Sequence, residues 1–528
     1  MRSRYDAIVI GAGHNGLVAA AYLARHGLAT LSIERNDRIG GACITDEIMP
    51  GYRVSGAAQV LGMLRPQVVQ DLELERHGLR YRLREPEVFV PFPDDKHLFL
   101  YSEAAKTKAS IARLSPRDAA AYDAYDDYTS RIAAILSDLM TRPTPSLEEV
   151  AAAFDRGGDR EMLQATLFDS IQDYLERWFE SDYVKAPLAY GAMSGSAAGP
   201  RTPGTAFSKL YHAAARLKGR DGAWALVEGG MGRVTDALAA ALKRYGGEIL
   251  LNAAVSQIRC KGGRATGVVL ADGSEIAADL VLSNADPQRT FLDLLPADTL
   301  PAEFRERARR IKLRGTGFKI NFAIAELPDF TALPGRTVGP QHTGGVMITP
   351  SLDYLEQAWD EVKYGRPSRR PFTHFIIQSA TDPTLAPPGH HTISLWGHHV
   401  PYRVEGDVAA ARDQLAERMT DLIGEYAPNF RASVLARQVW LPVDIERRYG
   451  MTGGQIFHGD LMPDQVLWGR PFIGSGGHRA PVKGVYLCGA GTHPGGDVNG
   501  APGFNAAMAV LSDLGPRQLV SETGRKTA

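Results

Sequence analysis

The chain reads as an α/β protein, α+β overall, in which a Rossmann-type dinucleotide domain is interleaved with a domain of mixed sheet plus helices. Three stretches predict this. Residues 7–16, Ala-Ile-Val-Ile-Gly-Ala-Gly-His-Asn-Gly, set an apolar run directly before Gly11-x-Gly13-x-x-Gly16. Residues 227–276 offer a glycine-bounded helix pattern followed by a hairpin. Residues 484–514 offer a buried strand, a glycine loop and a closing helix.

The first stretch carries the most. Its apolar strand turns into an alanine-rich helical pattern that Gly27 stops, and a second apolar run ends in Glu34, eighteen residues after Gly16. Strand, glycine turn, helix, strand and terminal acid together form the dinucleotide fingerprint. Gly11 permits the tight turn, Gly13 lets backbone approach a pyrophosphate, and Gly16 allows close helix–sheet packing. Ala12, His14 and Asn15 complete the loop. Free N–H groups at the helix start favour phosphate. Glu34 is expected to accept hydrogen bonds from a ribose, and its charge disfavours a 2′-phosphate.

After Glu34 the chain continues Arg35-Asn36-Asp37-Arg38-Ile39-Gly40-Gly41-Ala42. Later come Val227-Glu228-Gly229-Gly230-Met231-Gly232 and Gly484-Val485-Tyr486-Leu487-Cys488-Gly489-Ala490-Gly491, the last followed by Thr492-His493-Pro494-Gly495-Gly496-Asp497-Val498-Asn499-Gly500. These segments resemble, almost end to end, the phytoene desaturase-like FAD-dependent oxidoreductases of the flavin amine oxidase and carotenoid desaturase superfamily. The resemblance implies FAD as cofactor. Gly40 and Gly41 would lie against its diphosphate and flavin, and Val255 would meet adenine through backbone. Gly489, Gly491, Asp497 and Val498 would fall in the final flavin-binding loop. Ala42 stands where amine oxidases usually carry Arg, which favours the desaturase side. Arg35 and Arg38 are candidates for phosphate or ribose contacts.

The resemblance also divides the chain. Residues 1–75, 220–300 and 455–528 would form the FAD-binding domain, and 76–219 with 301–454 the substrate domain. The first insert reads as helical at 104–113, 116–140 and 160–180. The second carries strand-like runs at 319–325, 372–379 and 392–399, and a helix at 408–426. A four- to five-stranded sheet roofing the flavin is the superfamily's usual design. The polar tail 521–528 is expected to fray.

Composition narrows the function. Fifty-nine Lys and Arg nearly cancel sixty Asp and Glu, which argues against nucleic acid. Three scattered cysteines form no C-x-x-C, so disulphide-reductase chemistry and structural disulphides are not expected. No apolar run reaches the ~18–20 residues of a membrane span, and the fingerprint strand starts too early for a targeting segment. A cytoplasmic protein is expected, with peripheral membrane contact open because residues 305–314 form a basic amphipathic pattern.

FAD supplies hydride acceptance in such proteins, while the chain positions the substrate and manages protons. The polar candidates are His493 and Asp497 in the final loop. His493 is otherwise a loop imidazole, and Asp497 otherwise a helix cap or cofactor contact. Arg65 is a candidate anchor for a carboxylate. The pairs His390-His391 and His398-His399 sit on strand-like runs, where neighbours point to opposite faces. They converge on no metal, and no metal site is expected. The leading expectation is an FAD-dependent dehydrogenase or desaturase acting on a lipophilic or polyene-like small molecule, the flavin being reoxidised by oxygen or a quinone. The alternatives are C–N oxidation of an amine, flavin-dependent isomerisation of a polyene or fatty acid, and a flavin-bound interaction protein without turnover. Substrate identity and oligomeric state are not readable from the sequence.

Overall fold

The computed structural model describes residues 2–518, so the polar tail lies outside the described residues. Two seven-stranded sheets organise the molecule. The first is assembled from three distant parts of the chain. Its order is Glu248–Leu250, Thr30–Ile33, Arg4–Ile10, Glu275–Ser283, Arg264–Leu270 and Val255–Lys261, with Val485–Leu487 also paired to Glu275–Ser283. The pairings from Glu248–Leu250 through Glu275–Ser283 to Val485–Leu487 are parallel. Parallel strands buried on both faces need continuous apolar sequence, and Ala7-Ile8-Val9-Ile10 supplies it. Ala7 and Val9 pack toward the helical face, and Ile8 and Ile10 toward the other.

The helix His14–Arg25 follows the first strand and lies against Gly232–Arg244 and the final helix, which begins at Ala501. Two glycines set these distances. A Cβ on Gly16 would overlap the Gly11 carbonyl oxygen, and one on Gly503 would overlap that of Asn15.

The second sheet runs Val434–Trp440, Gly317–Ile324, His391–His398, Phe372–Ile377, Gly345–Ile348, Val88–Pro91, His97–Leu100. Four or five strands were expected and seven are present; the additional ones are short or come from the first insert. Alternation gives this sheet two different faces. Ile320, Val346, Phe375, Leu395 and Val439 point to the helix Val408–Tyr426 and form an apolar core. The residues between them, Met347, His374, Trp396, Lys319 and Trp440, stand in one cross-strand row on the other face.

A helical block of residues 104–213 has its own core around Pro116–Met140. Residues 457–467, assigned by sequence to the dinucleotide domain, contribute Phe457, Leu461, Val466 and Leu467 to this block. Among the described residues no helix is long and apolar enough to cross a membrane. Of the basic pattern 305–314 only the first half is helical, within Ala302–Arg309; Arg307 pairs with Glu303, Arg309 and Arg310 with Glu306, and Lys312 and Arg314, beyond the helix, with Asp464 and Asp460.

Candidate functional site

One cavity of about 1180 Å3 is lined by both halves of the fold. Ordinary ligand pockets span ~300–1,000 Å3, so this one has room for a cofactor and a second molecule. Its dinucleotide side is made by the ends of the parallel strands and the loops between them. Gly11, Gly13, His14, Asn15, Glu34, Arg35, Gly41, Ala42, Val255, Asp497 and Val498 all line it. No side chain caps the helix His14–Arg25 and its first turn carries no acid, which leaves those amides free for an anion.

The remaining fingerprint positions work behind the surface. Ala12 is fully buried, and its amide donates to Glu34 Oε2 at 3.0 Å. Glu34 also accepts from the Asn36 backbone amide at 3.0 Å and from Asn36 Nδ2 at 2.8 Å. The acid therefore braces the glycine loop while lining the groove. Gly40 donates to Ala12 O at 2.9 Å, which fastens the second glycine pair to the first loop. Gly489 and Gly491 pack against Asn284 and Pro287 behind the last loop. This cradle of glycine backbone, with uncapped amides and no acid in the first helical turn, fits an anionic dinucleotide such as FAD.

Several expected contacts go elsewhere. Arg38 pairs with Asp46 and does not line the cavity. Arg35 lines it, yet its Nη2 donates to the carbonyls of Arg447 and Arg448. His493 is corrected from a catalytic candidate to an anchor. It is buried behind the loop, Nε2 donates to Leu139 O at 2.8 Å, and burial depresses its pKa to about 4. Arg65 anchors no carboxylate, because its guanidinium donates to Ser137 Oγ at 2.6 Å and Ala214 O at 3.3 Å. None of the four paired histidines lines the cavity. His398 and His399 are buried against Phe372, and burial drives His398 to about 3. Among the described residues no cluster suited to a metal ion occurs.

Asp497 does reach the cavity, in company the sequence did not suggest. Its φ of 74° lies in the left-handed region that Asp tolerates better than most residues. The amide of Val498 donates to Oδ1 at 2.8 Å, while Oδ2 lies 3.4 Å from His212 Nε2. His212 Nδ1 donates to Ser208 O at 2.6 Å, so Nε2 is the atom that can exchange a proton with Asp497. Helix capping falls to Asn499, whose Oδ1 accepts from the Ala501 amide at 2.7 Å. His212, 285 residues before Asp497, comes from the helix Ala206–Ala213 and carried no local signal.

The sheet side of the cavity is built by Met347, His374 and Trp396 from the cross-strand row, with Arg84, Glu87 and Lys209 beside them. Burial pushes Glu87 up to about 7, against the lowering pull of Arg84 and Lys209. His374 is held well below its ordinary value by burial and by the neighbouring cations Arg84 and Lys319. Lys319 itself is fully buried with Nζ donating to Ser394 Oγ.

A sequence model of the family described as flavin containing amine oxidoreductase matches residues 16–511. Pyridine nucleotide-disulfide oxidoreductase domain-containing protein 2 of Rattus norvegicus is 38% identical, over 97% of this chain and 94% of the rat protein. The lycopene-forming phytoene desaturase of Paracoccus sp. is 27% identical, over 96% of this chain and 97% of its own. Among solved structures, wild-type putrescine oxidase bound to putrescine matches with a TM-score of 0.61 at 17% identity, over 97% of this chain and 99% of that one. At that identity the likeness is one of fold.

Proposed function

From the premise that the chain belongs to the flavin-containing amine oxidoreductase family and uses FAD, we propose that it is a dehydrogenase of the desaturase type, removing two hydrogens from a lipophilic small molecule. The observation that carries the reading is the continuity of one cavity from the glycine cradle to a chamber walled by aromatic and aliphatic side chains such as Tyr190, Met347, Trp224 and Phe457. The full-length similarity to a phytoene desaturase supports the same reaction type.

When bound, FAD supplies hydride acceptance. Removing two hydrogens also releases a proton, and the cavity offers one pair placed to take it. Asp497 is fixed by the Val498 amide on one oxygen and faces His212 with the other, so a proton received at Oδ2 can pass to Nε2. The disulphide chemistry in the rat relative's name has no counterpart among these residues. Cys43, Cys260 and Cys488 are all free, and burial raises the thiol pKa of each.

The test is anaerobic mixing of the yellow, flavin-loaded protein with polyenes and with primary amines. Bleaching of the flavin band by polyenes alone supports desaturation. Bleaching by amines alone replaces it with C–N oxidation, and protein purified without flavin sinks both.

A further inference from the structure

Among the described residues three arginines are almost wholly buried, and they are not alike. Arg470, 1% exposed, donates to the carbonyls of Phe457, Gly459, Gln465 and Ala490. Arg65, 7% exposed, is held by Ser137 and Ala214. Arg84, 6% exposed, lines the cavity, and among the described residues its side chain has one partner, His374 Nε2 at 3.3 Å from Nη1. Its Nε has none.

Lys209 lines the same cavity. Among the described residues it makes no side-chain hydrogen bond, and neither it nor Arg84 has a carboxylate oxygen within the 4.0 Å of an ion pair. Glu87 and Asp126 face the two cations from farther away, and burial raises both carboxyls toward their neutral forms. Lys319, the other cation near His374, is committed to Ser394. A buried cation short of partners is costly; Arg84 is one, and half-buried Lys209 borders the same space.

Building on the proposed reading of this space as a substrate chamber, we propose that the substrate is an amphiphile bearing a carboxylate, which Arg84 and Lys209 hold while its apolar body lies along the aromatic wall. The guanidinium offers paired N–H groups in the plane a carboxylate needs. Lys209 adds a point charge, and a protonated Glu87 can donate a further hydrogen bond. A pure hydrocarbon would leave both cations unsatisfied, and an amine would face charges of its own sign.

The experiment titrates the flavin-loaded protein with oleic acid, its methyl ester and oleylamine, by calorimetry and by perturbation of the flavin band. The acid is expected to bind at least about tenfold more tightly than the ester. Arg84→Met and Lys209→Met should each bring the two within about threefold, with flavin content unchanged. Both variants should melt no lower than the ligand-free parent, whereas Arg470→Met, which breaks a satisfied network, should melt well below it. If Arg84→Met does not fold, Lys209→Met and Arg84→Lys decide, the latter retaining part of the preference. The proposal is overturned if acid and ester bind alike, if the amine binds best, if none binds, or if the methionine variants keep the preference. Flavin content and bleaching are read on the same samples. Loss of either removes the redox reading, while the calorimetric comparison still judges Arg84 and Lys209.

Discussion

The two ends of the cavity satisfy their polar groups in opposite ways. On the dinucleotide side the groups that brace the loops are closed inside the protein, while His14 Nε2 and Asn15 Oδ1 are without a partner among the described residues. Glu34 takes three N–H donors, Gly40 is tied to Ala12, and Arg470 is saturated by loop carbonyls. What this side offers a ligand is backbone, in a shape set by glycines. On the sheet side the protein leaves side chains open: among the described residues Arg84 has a single side-chain partner and Lys209 has none. A closed network makes a rigid template for one conserved molecule shape, while open charges select a ligand by its chemistry. The first can be inferred from what is present and the second from what is missing.

The largest test of this contrast is Gly16→Val, which forces the first helix off the strand turn. The purified protein should retain less than about a tenth of its flavin, measured by absorbance. Next is Asp497→Asn, which keeps the left-handed backbone but removes the proton acceptor. Anaerobic flavin reduction should slow by about 10²–10⁴-fold with flavin content intact, and parallel loss of flavin would show that Asp497 holds the cofactor rather than a proton. Acid comes third. Burial holds His14, His478 and His493 at about 4, below the 6.5 of the unfolded chain. Between those values the unfolded state binds protons that the folded state refuses. Stability is therefore complete above pH 6.5 and falls as pH drops toward 4, by as much as ~3 kcal/mol per histidine. Melting curves at pH 7.5 and 5 read this directly.

His493→Ala sharpens the contrast further. Losing the bond to Leu139 should cost about 1–3 kcal/mol and leave the rate of flavin reduction within about threefold of wild type; a loss like that of Asp497→Asn would return His493 to the chemistry. The smallest effect belongs to Arg307→Ala, which removes an exposed pair with Glu303 and should leave the melting temperature unchanged.

Legibility followed the range of the signal. The expected helices 116–140 and 408–426 are found as Pro116–Met140 and Val408–Tyr426, because Ser115 and Asp407 cap them with their own side chains and Pro116 suits a first turn. The stretch 248–261 forms two strands, Glu248–Leu250 and Val255–Lys261, since it pairs with a parallel neighbour first and a hairpin partner later. The helix Leu352–Lys363 was missed although Ser351 caps it at 3.1 Å, a signal that was available. Short strands such as Gly345–Ile348 and Val88–Pro91 gave too few residues to show alternation. Arg65 and His493 are candidates by sequence, yet the structure fastens Arg65 to Ser137 and Ala214 and His493 to Leu139. Arg84, Lys209 and His212 lay in stretches with no motif and form the chamber wall.

By itself the sequence determined the dinucleotide fold, because it depends on backbone conformations that glycine spacing dictates within some thirty residues, while the family resemblance named FAD. Which charged side chains stand open in the chamber was decided only by tertiary structure. A cation's partner is fixed by strands and helices that meet from opposite ends of the chain, and no local pattern records whether that partner arrives.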